Sequence, residues 1–391
     1  MPFATCPIAI VASLLPAAAQ DVDFTTIDRK VMVGYQGWFR CPGDTAAIGW
    51  RHWSRNPSKI DPKTITVEMW PDLSEYADDE KFPAPGFTHP DGSPASLFSS
   101  THPSTVERHF RWMQEAGIDG AYLQRFLVEI DAKSIDTVLE NVRQAASKAG
   151  RAYAIEYDLS GCREDQIVDR IARDWNRLAE EKRITQDPNY LHHNGKPVVF
   201  VWGFFPDRFP ASIAHKVIDV FKSGGPLEAT LIGGVPWTWR AERGDEWARA
   251  LRRFDVISPW NVGHYADKKG VRSADTSTWE SDRAEAARHG MGFLPVIYPG
   301  FGWTNLKGPQ SSKATIPRRN GDFFREQFAE ARRMGLATAF VAMFDEVDEG
   351  TAIFKVSNTP PTQARFQNYE GLPPDTYLKI AGEAARAFRG R

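Results

Sequence analysis

The sequence predicts an α/β fold, a (β/α)8 TIM barrel with a long insertion after its first strand, and three observations carry that expectation. Short apolar runs of strand length alternate with helical segments along the 391 residues, and there are eight such runs. Several helical segments end on glycine, at Glu115-Ala116-Gly117, Lys148-Ala149-Gly150 and Arg333-Met334-Gly335, as helices do when the chain must turn back toward a sheet. No glycine-rich phosphate fingerprint follows an early strand, which disfavours an open doubly wound sheet.

In chain order, Met1 to Ala19 carry no charge and hold an apolar run, Ile8 to Leu15, ending in Pro16-Ala17-Ala18-Ala19. Small residues after an apolar run resemble a secretory cleavage site, so residues 1–19 are expected to be a signal peptide and the protein secreted or periplasmic. Residues 20–391 then form one domain. Its eight strand-like runs are Val31-Tyr35, Asp119-Leu123, Ala152-Tyr157, Pro197-Trp202, Thr230-Val235, Asp255-Trp260, Gly292-Ile297 and Ala339-Phe344. The stretch from about Gly37 to Pro103 is too long for a barrel loop and reads as a lid or rim, with an extra strand at Ile65-Trp70. Ser104-Thr105-Val106-Glu107 has the spacing of a capping box. Pro299 to Asn320, rich in Gly, Pro, Ser and Lys, reads as a flap beside the strand ends. Cys41 and Cys162 fall on loops after the first and third strands, which are not neighbours, and are expected to stay unpaired.

Composition removes several functions. A net charge of -2 gives no basic footprint for nucleic acid, and no segment after the leader reaches the length of a membrane span. There is no Gly-x-Ser-x-Gly elbow and no P-loop, and the histidines lack metal-ligand spacing, so no cofactor and no metal are expected. Aromatic residues are abundant, with 13 Trp and 10 Tyr, and they are the side chains that stack on the apolar faces of sugar rings.

Catalytic groups of a barrel come from the C-terminal ends of its strands. Those ends are aromatic, amide and acid, and the last bears four carboxylates within five positions, Asp345, Glu346, Asp348 and Glu349, followed by Gly350. Two acids three residues apart can face one site, one donating a proton and one accepting it, as glycosyl transfer requires. Glu346 and Glu349 are therefore the candidate catalytic pair. Candidate substrate contacts are Tyr35, Trp38, His52, Trp53, Gln124, Glu156, Trp202, Trp237, Trp239, Tyr298 and Asp345. The expected partner is an oligo- or polysaccharide. Two alternatives stay open: a conventional carboxylate pair of Glu156 and Glu346, and a carbohydrate-binding barrel without turnover.

Four landmarks in order, Tyr35-Gln36-Gly37-Trp38-Phe39, Gly49-Trp50-Arg51-His52-Trp53, Ala116-Gly117-Ile118-Asp119-Gly120 and Glu346-Val347-Asp348-Glu349-Gly350-Thr351, resemble the glycoside hydrolase family 99 and 71-like group of endo-α-mannosidases and endo-α-mannanases. The resemblance runs from about residue 30 to 355 and implies a (β/α)8 barrel and a retaining glycosidase. It further implies that Glu346 assists the sugar's own 2-hydroxyl to form a 1,2-anhydro intermediate while Glu349 acts as acid and then base. The sequence departs from the group's pattern at Asp345, Val347 and Asp348 and at Gln36-Gly37, next to the acids but not at them.

Overall fold

A computed structural model describes residues 22–242 and 244–390, so the expected leader lies outside the described residues. All eight runs belong to one sheet of parallel strands: β1 Val31–Tyr35, β2 Gly120–Phe126, β3 Ala152–Asp158, β4 Lys196–Trp202, β5 Thr230–Pro236, β6 Val256–Trp260, β7 in two pieces, Gly292–Phe293 and Val296–Ile297, and β8 Ala339–Val341. The order is sequential from β1 to β6, and β8 lies beside β1, where Val31, Met32 and Val33 pair with Ala339, Phe340 and Val341. Strand β3 is buried along its whole length, which is why it reads as a near-continuous apolar run.

The seventh run changes partner midway. Gly292–Phe293 pairs with β6, whereas Val296–Ile297 pairs with β8, so the two margins of the sheet meet on this one segment. Proline at position 295 explains the break: it has no N–H to give, while its carbonyl accepts from Phe340 on the β8 side.

Helices follow the strands: α1 Pro103–Ala116, α2 Lys133–Ala149, α3 Glu164–Asn176, α4 Ala211–Lys222, α5 Asp245–Leu251, α6 Trp279–Arg288, α7 Asp322–Arg333 and α8 Thr376–Phe388. Helix α2 shows why they cover the sheet: Ile135, Val138, Leu139, Val142, Ala145, Ala146 and Ala149 form one buried stripe at helical spacing. Gly117 and Gly150 close α1 and α2 in the left-handed conformation, as their positions suggest, and Gly335 follows α7 with φ +70°.

Two local expectations are corrected, and one element was not expected. The capping box at Ser104 does not form, because Pro103 takes the first helical position and His102 is the N-cap; Thr105 instead donates to the buried Glu80, and Glu107 pairs with Lys148. Ile65-Trp70 is not a strand. It is an extended strap whose Glu68 and Met69 N–H groups donate to the Val347 carbonyl while the Glu68 carbonyl accepts from Gln367, so its backbone is satisfied by the acid loop rather than by a sheet. The regular structure in the connection between β1 and α1 is an antiparallel hairpin, Phe82–Thr88 with Pro94–Leu97, hidden in the sequence by its prolines. Cys41 and Cys162 are free. Among the described residues no helix is long and apolar enough to cross a membrane.

Candidate active site

The carboxyl ends of β1 and β8 are tied by Asp345. Its two oxygens accept the backbone N–H of Gln36 at 2.7 Å and of Gly37 at 3.0 Å, and the side chain is fully buried. Gly37 has φ +58°, and a Cβ there would meet Val138 at 2.8 Å, so the turn that aims both N–H groups at Asp345 needs glycine. Burial pushes Asp345 up to about 6, and the two N–H donors oppose that rise.

The next residue faces the other way, into a cleft of about 810 Å³ at the strand ends. Glu346 is held on both oxygens: Oε1 accepts from the Gln36 side-chain amide at 2.6 Å and Oε2 from the Thr351 hydroxyl at 2.7 Å. Its own carbonyl accepts the N–H groups of Thr351 and Ala352, so the acid loop folds back on itself through Gly350, at φ +64°. Glu349 opens on the same cleft, with the Trp303 indole and the Lys307 ammonium as neighbours.

Burial drives the carboxyls of this loop upward. Glu346 is raised by desolvation and then by Glu349 and Asp348, against the Thr351 hydrogen bond; Asp348 is raised by burial and by Glu349. Glu349 also rises through burial, opposed by Trp303 and Lys307. Acids that repel one another in a water-poor site share protons, so the loop holds protons to higher pH than free carboxyls do, which is the direction an acid catalyst needs. Across the cleft Asp158 is raised by burial too, despite the Ser160 N–H it accepts and the nearby Arg208.

Of the expected contacts, Trp38, Gln124 and Trp202 line the cleft with the two glutamates. Trp38, however, stacks on His52 at 4.0 Å and on Phe126 at 4.9 Å, so its ring surface is taken up by protein and His52 acts as its support. Its indole N–H has no protein partner, nor does that of Trp202, nor the Gln124 side-chain oxygen. The other expected contacts sit behind the wall or at its rim. Tyr35 is buried on His109, Trp53 donates to the Phe98 carbonyl, and Trp239 is buried near Arg252. Tyr298 donates to the carbonyl of His264, while Trp237 stacks on the His264 ring at 4.1 Å. Glu156 is fully buried off the cleft with neither oxygen partnered, and desolvation raises it well above the carboxylate range.

Residues the sequence reading did not single out complete the wall: Gln36, Asp158, Trp260, His264, Phe301 and Trp303. Their signal was position: Asp158 and Trp260 close β3 and β6, Gln36 and His264 follow β1 and β6, and Phe301 and Trp303 come from the flap. Among the described residues no cluster of three or more His, Cys, Asp or Glu is placed to hold a metal ion.

The model of glycosyl hydrolase family 99 matches residues 26–390. The fold is similar to the GH99 endo-alpha-mannosidase from Bacteroides thetaiotaomicron, with TM-score 0.69 at 17% identity over 93% of this chain and 99% of that one. That enzyme in complex with bis-tris-propane gives 0.68 at 17% identity over the same 93% and 99%. A glycoside hydrolase-like protein gives 0.50 at 14% identity over 85% of this chain and 98% of that one. No curated protein sequence matches the chain. The family match runs through both acids and nearly the whole length: the chain belongs to glycosyl hydrolase family 99, and the protein is a glycoside hydrolase.

Proposed function

We propose that this protein is a retaining glycoside hydrolase of α-mannan-type oligo- or polysaccharides, exported after loss of residues 1–19, and built on a (β/α)8 barrel whose first connection is an insertion. The observation that carries the reading is that Glu346 and Glu349 open from one loop onto one cleft, with Glu346 gripped on both oxygens.

Donors on both oxygens oppose the rise that burial and the neighbouring acids impose on Glu346 and fix its carboxyl in place, which is the role we assign to a base. Glu346 takes the proton of the sugar's 2-hydroxyl as that oxygen attacks the anomeric carbon. The glycosidic bond breaks, and its oxygen receives the proton of Glu349. A 1,2-anhydro sugar results. Glu349, now ionised, deprotonates a water that attacks the anomeric carbon, while the opening ring oxygen recovers its proton from Glu346. Two inversions give retention. The first attack requires a 2-hydroxyl trans to the leaving group, as in an α-mannoside. The alternative uses Glu156 as acid/base and Glu346 as nucleophile, but the buried, unpartnered Glu156 lacks the access to substrate that an acid/base needs, which leaves the conventional pair without support.

The test is hydrolysis of neutral α-mannan and aryl α-mannosides, with first products read by anomeric form. Wild type should release α-configured products. Glu349→Gln should lose about 10²–10⁴-fold on poor leaving groups while still binding the polymer. Initial β products, or a covalent adduct on Glu156 or Glu346 from a fluorinated sugar, would overturn the mechanism; binding without turnover on every substrate would revive the binding-barrel alternative.

A further inference from the structure

The acids of the cleft lie on its floor, and its margin carries the opposite sign. Arg208 lines the cleft after β4, its guanidinium 4.8 Å from the Trp202 ring centroid and 4.5 Å from that of Phe205, with Nη1 donating to the Ser160 hydroxyl at 3.1 Å. Lys307, on the flap, lines the opposite side over Trp303. Arg272 lies 4.4 Å from the ring centroid of Tyr265, another cleft residue, and donates to the Thr315 carbonyl of the flap. Three cations are thus seated on aromatic rings of the cleft wall, which fixes them at little entropic cost. None of the three closes an ion pair with a carboxylate among the described residues, whereas Arg51 and Arg252 elsewhere on the surface do. Asp158 feels Arg208 without closing a salt bridge.

Neutral glycan needs hydroxyl contacts, which amides and indoles supply. Three positioned guanidinium or ammonium groups that close no ion pair, Lys307 beside Glu349 and Arg208 near Asp158 included, are suited to an anion that arrives with the substrate, and a guanidinium fork matches the paired oxygens of carboxylate, phosphate and sulfate alike. Each also covers one face of its ring, Trp202, Tyr265 and Trp303 respectively for Arg208, Arg272 and Lys307, leaving that face unavailable for stacking on a neutral sugar.

We propose that the glycan this cleft accepts carries an oxyanionic substituent, bound by Arg208 with Lys307 and Arg272 on the facing margin. The inference rests on the glycosidase reading of the cleft and names the substrate class more narrowly. The anion seats on the Arg208 side as a substituent that is not itself cleaved.

Binding separates this inference from the reading it rests on. Purified protein is titrated with neutral α-mannan and with the same polymer sulfated, phosphorylated or oxidised to the uronate, at low and at high salt, and hydrolysis of each is followed in parallel. At least one anionic polymer should bind about tenfold or more tightly than the neutral one, with the advantage fading as salt screens it over roughly 0.5–1 M. Which polymer wins distinguishes a sulfate or phosphate ester from a carboxylate. In Arg208→Gln the ratio of anionic to neutral affinity should fall toward one, and Lys307→Gln should lower it independently, so the outcome does not hang on one variant. Equal affinity for neutral and all anionic polymers, or a preference that survives both substitutions, overturns the inference. Turnover of the neutral polymer with no anionic preference leaves the glycosidase reading standing alone; anionic preference without turnover of any polymer does the reverse.

Discussion

The amide of Gln36 donates to Oε1 of Glu346 at 2.6 Å, joining the end of β1 to the end of β8 across 310 residues of sequence. A hydrogen bond to the ionised carboxylate favours that form. Gln36→Met, which keeps volume and removes the donor, should therefore raise the apparent pKa of Glu346 and move the acidic limb of the pH–rate profile to higher pH. A loss of roughly 10- to 100-fold in kcat is expected at neutral pH for a misplaced, less ionised base. An unmoved limb would detach Gln36 from the chemistry.

Asp345 holds the same junction by backbone contacts. Asp345→Asn turns one acceptor into a donor that faces a backbone N–H, which should destabilise the protein by about 1–3 kcal/mol and impair turnover through the displaced Gln36. Denaturant unfolding and kcat, measured on one preparation, check both effects.

Glu156 gives a stability prediction with a definite sign. Its folded-state pKa is raised by burial and by Asp158, so the folded protein holds a proton that the unfolded chain releases near pH 4–5. Stability from this group is complete below that range and declines as pH rises toward the folded value, by up to about 1.4 kcal/mol per pH unit. Glu156→Gln, neutral at all pH, should raise Tm at pH 7–8 and leave it near wild type at pH 4. A lower Tm at pH 8 would mean that the carboxylate is paired in the native state.

His109 acts with the opposite slope. It is fully buried between the hydroxyls of Tyr35 and Tyr76, and desolvation lowers it to about 3. Its contribution is complete above about pH 6.5 and is lost as pH falls toward 3, because the unfolded chain gains a proton the native state refuses. His109→Phe should flatten acid unfolding between those values, while at neutral pH it leaves two buried tyrosine hydroxyls unmet and costs about 2–4 kcal/mol. Urea midpoints from pH 4 to 8 test both halves.

Strand positions were legible because burial on both faces writes a continuous apolar run, and the meeting of Glu346 and Glu349 on one cleft was legible because charges rarely end such a run without cause. Contact roles were not. Trp239 and Tyr298 stand near strand ends in sequence and Trp53 in the long connection after β1, yet a side chain at such a position can turn into the layer behind the wall as readily as toward the opening. Asp345 and Glu346 are adjacent and face opposite ways, one onto backbone N–H groups and one onto the cleft, and residue type alone does not distinguish them. The hairpin at 82–97 escaped because its pairing tolerates prolines that edge strands allow.

The pairing of β8 with β1 also sets an order of events during synthesis. A ribosome releases Gln36 early and Glu346 almost at the end, so the polypeptide can dock its first six strands while the reaction centre still lacks its acids. The candidate acid loop then joins the cleft in a single late step, when the final segment emerges and inserts between β7 and β1. A nascent chain stalled anywhere before that point would lack both candidate acids of the cleft.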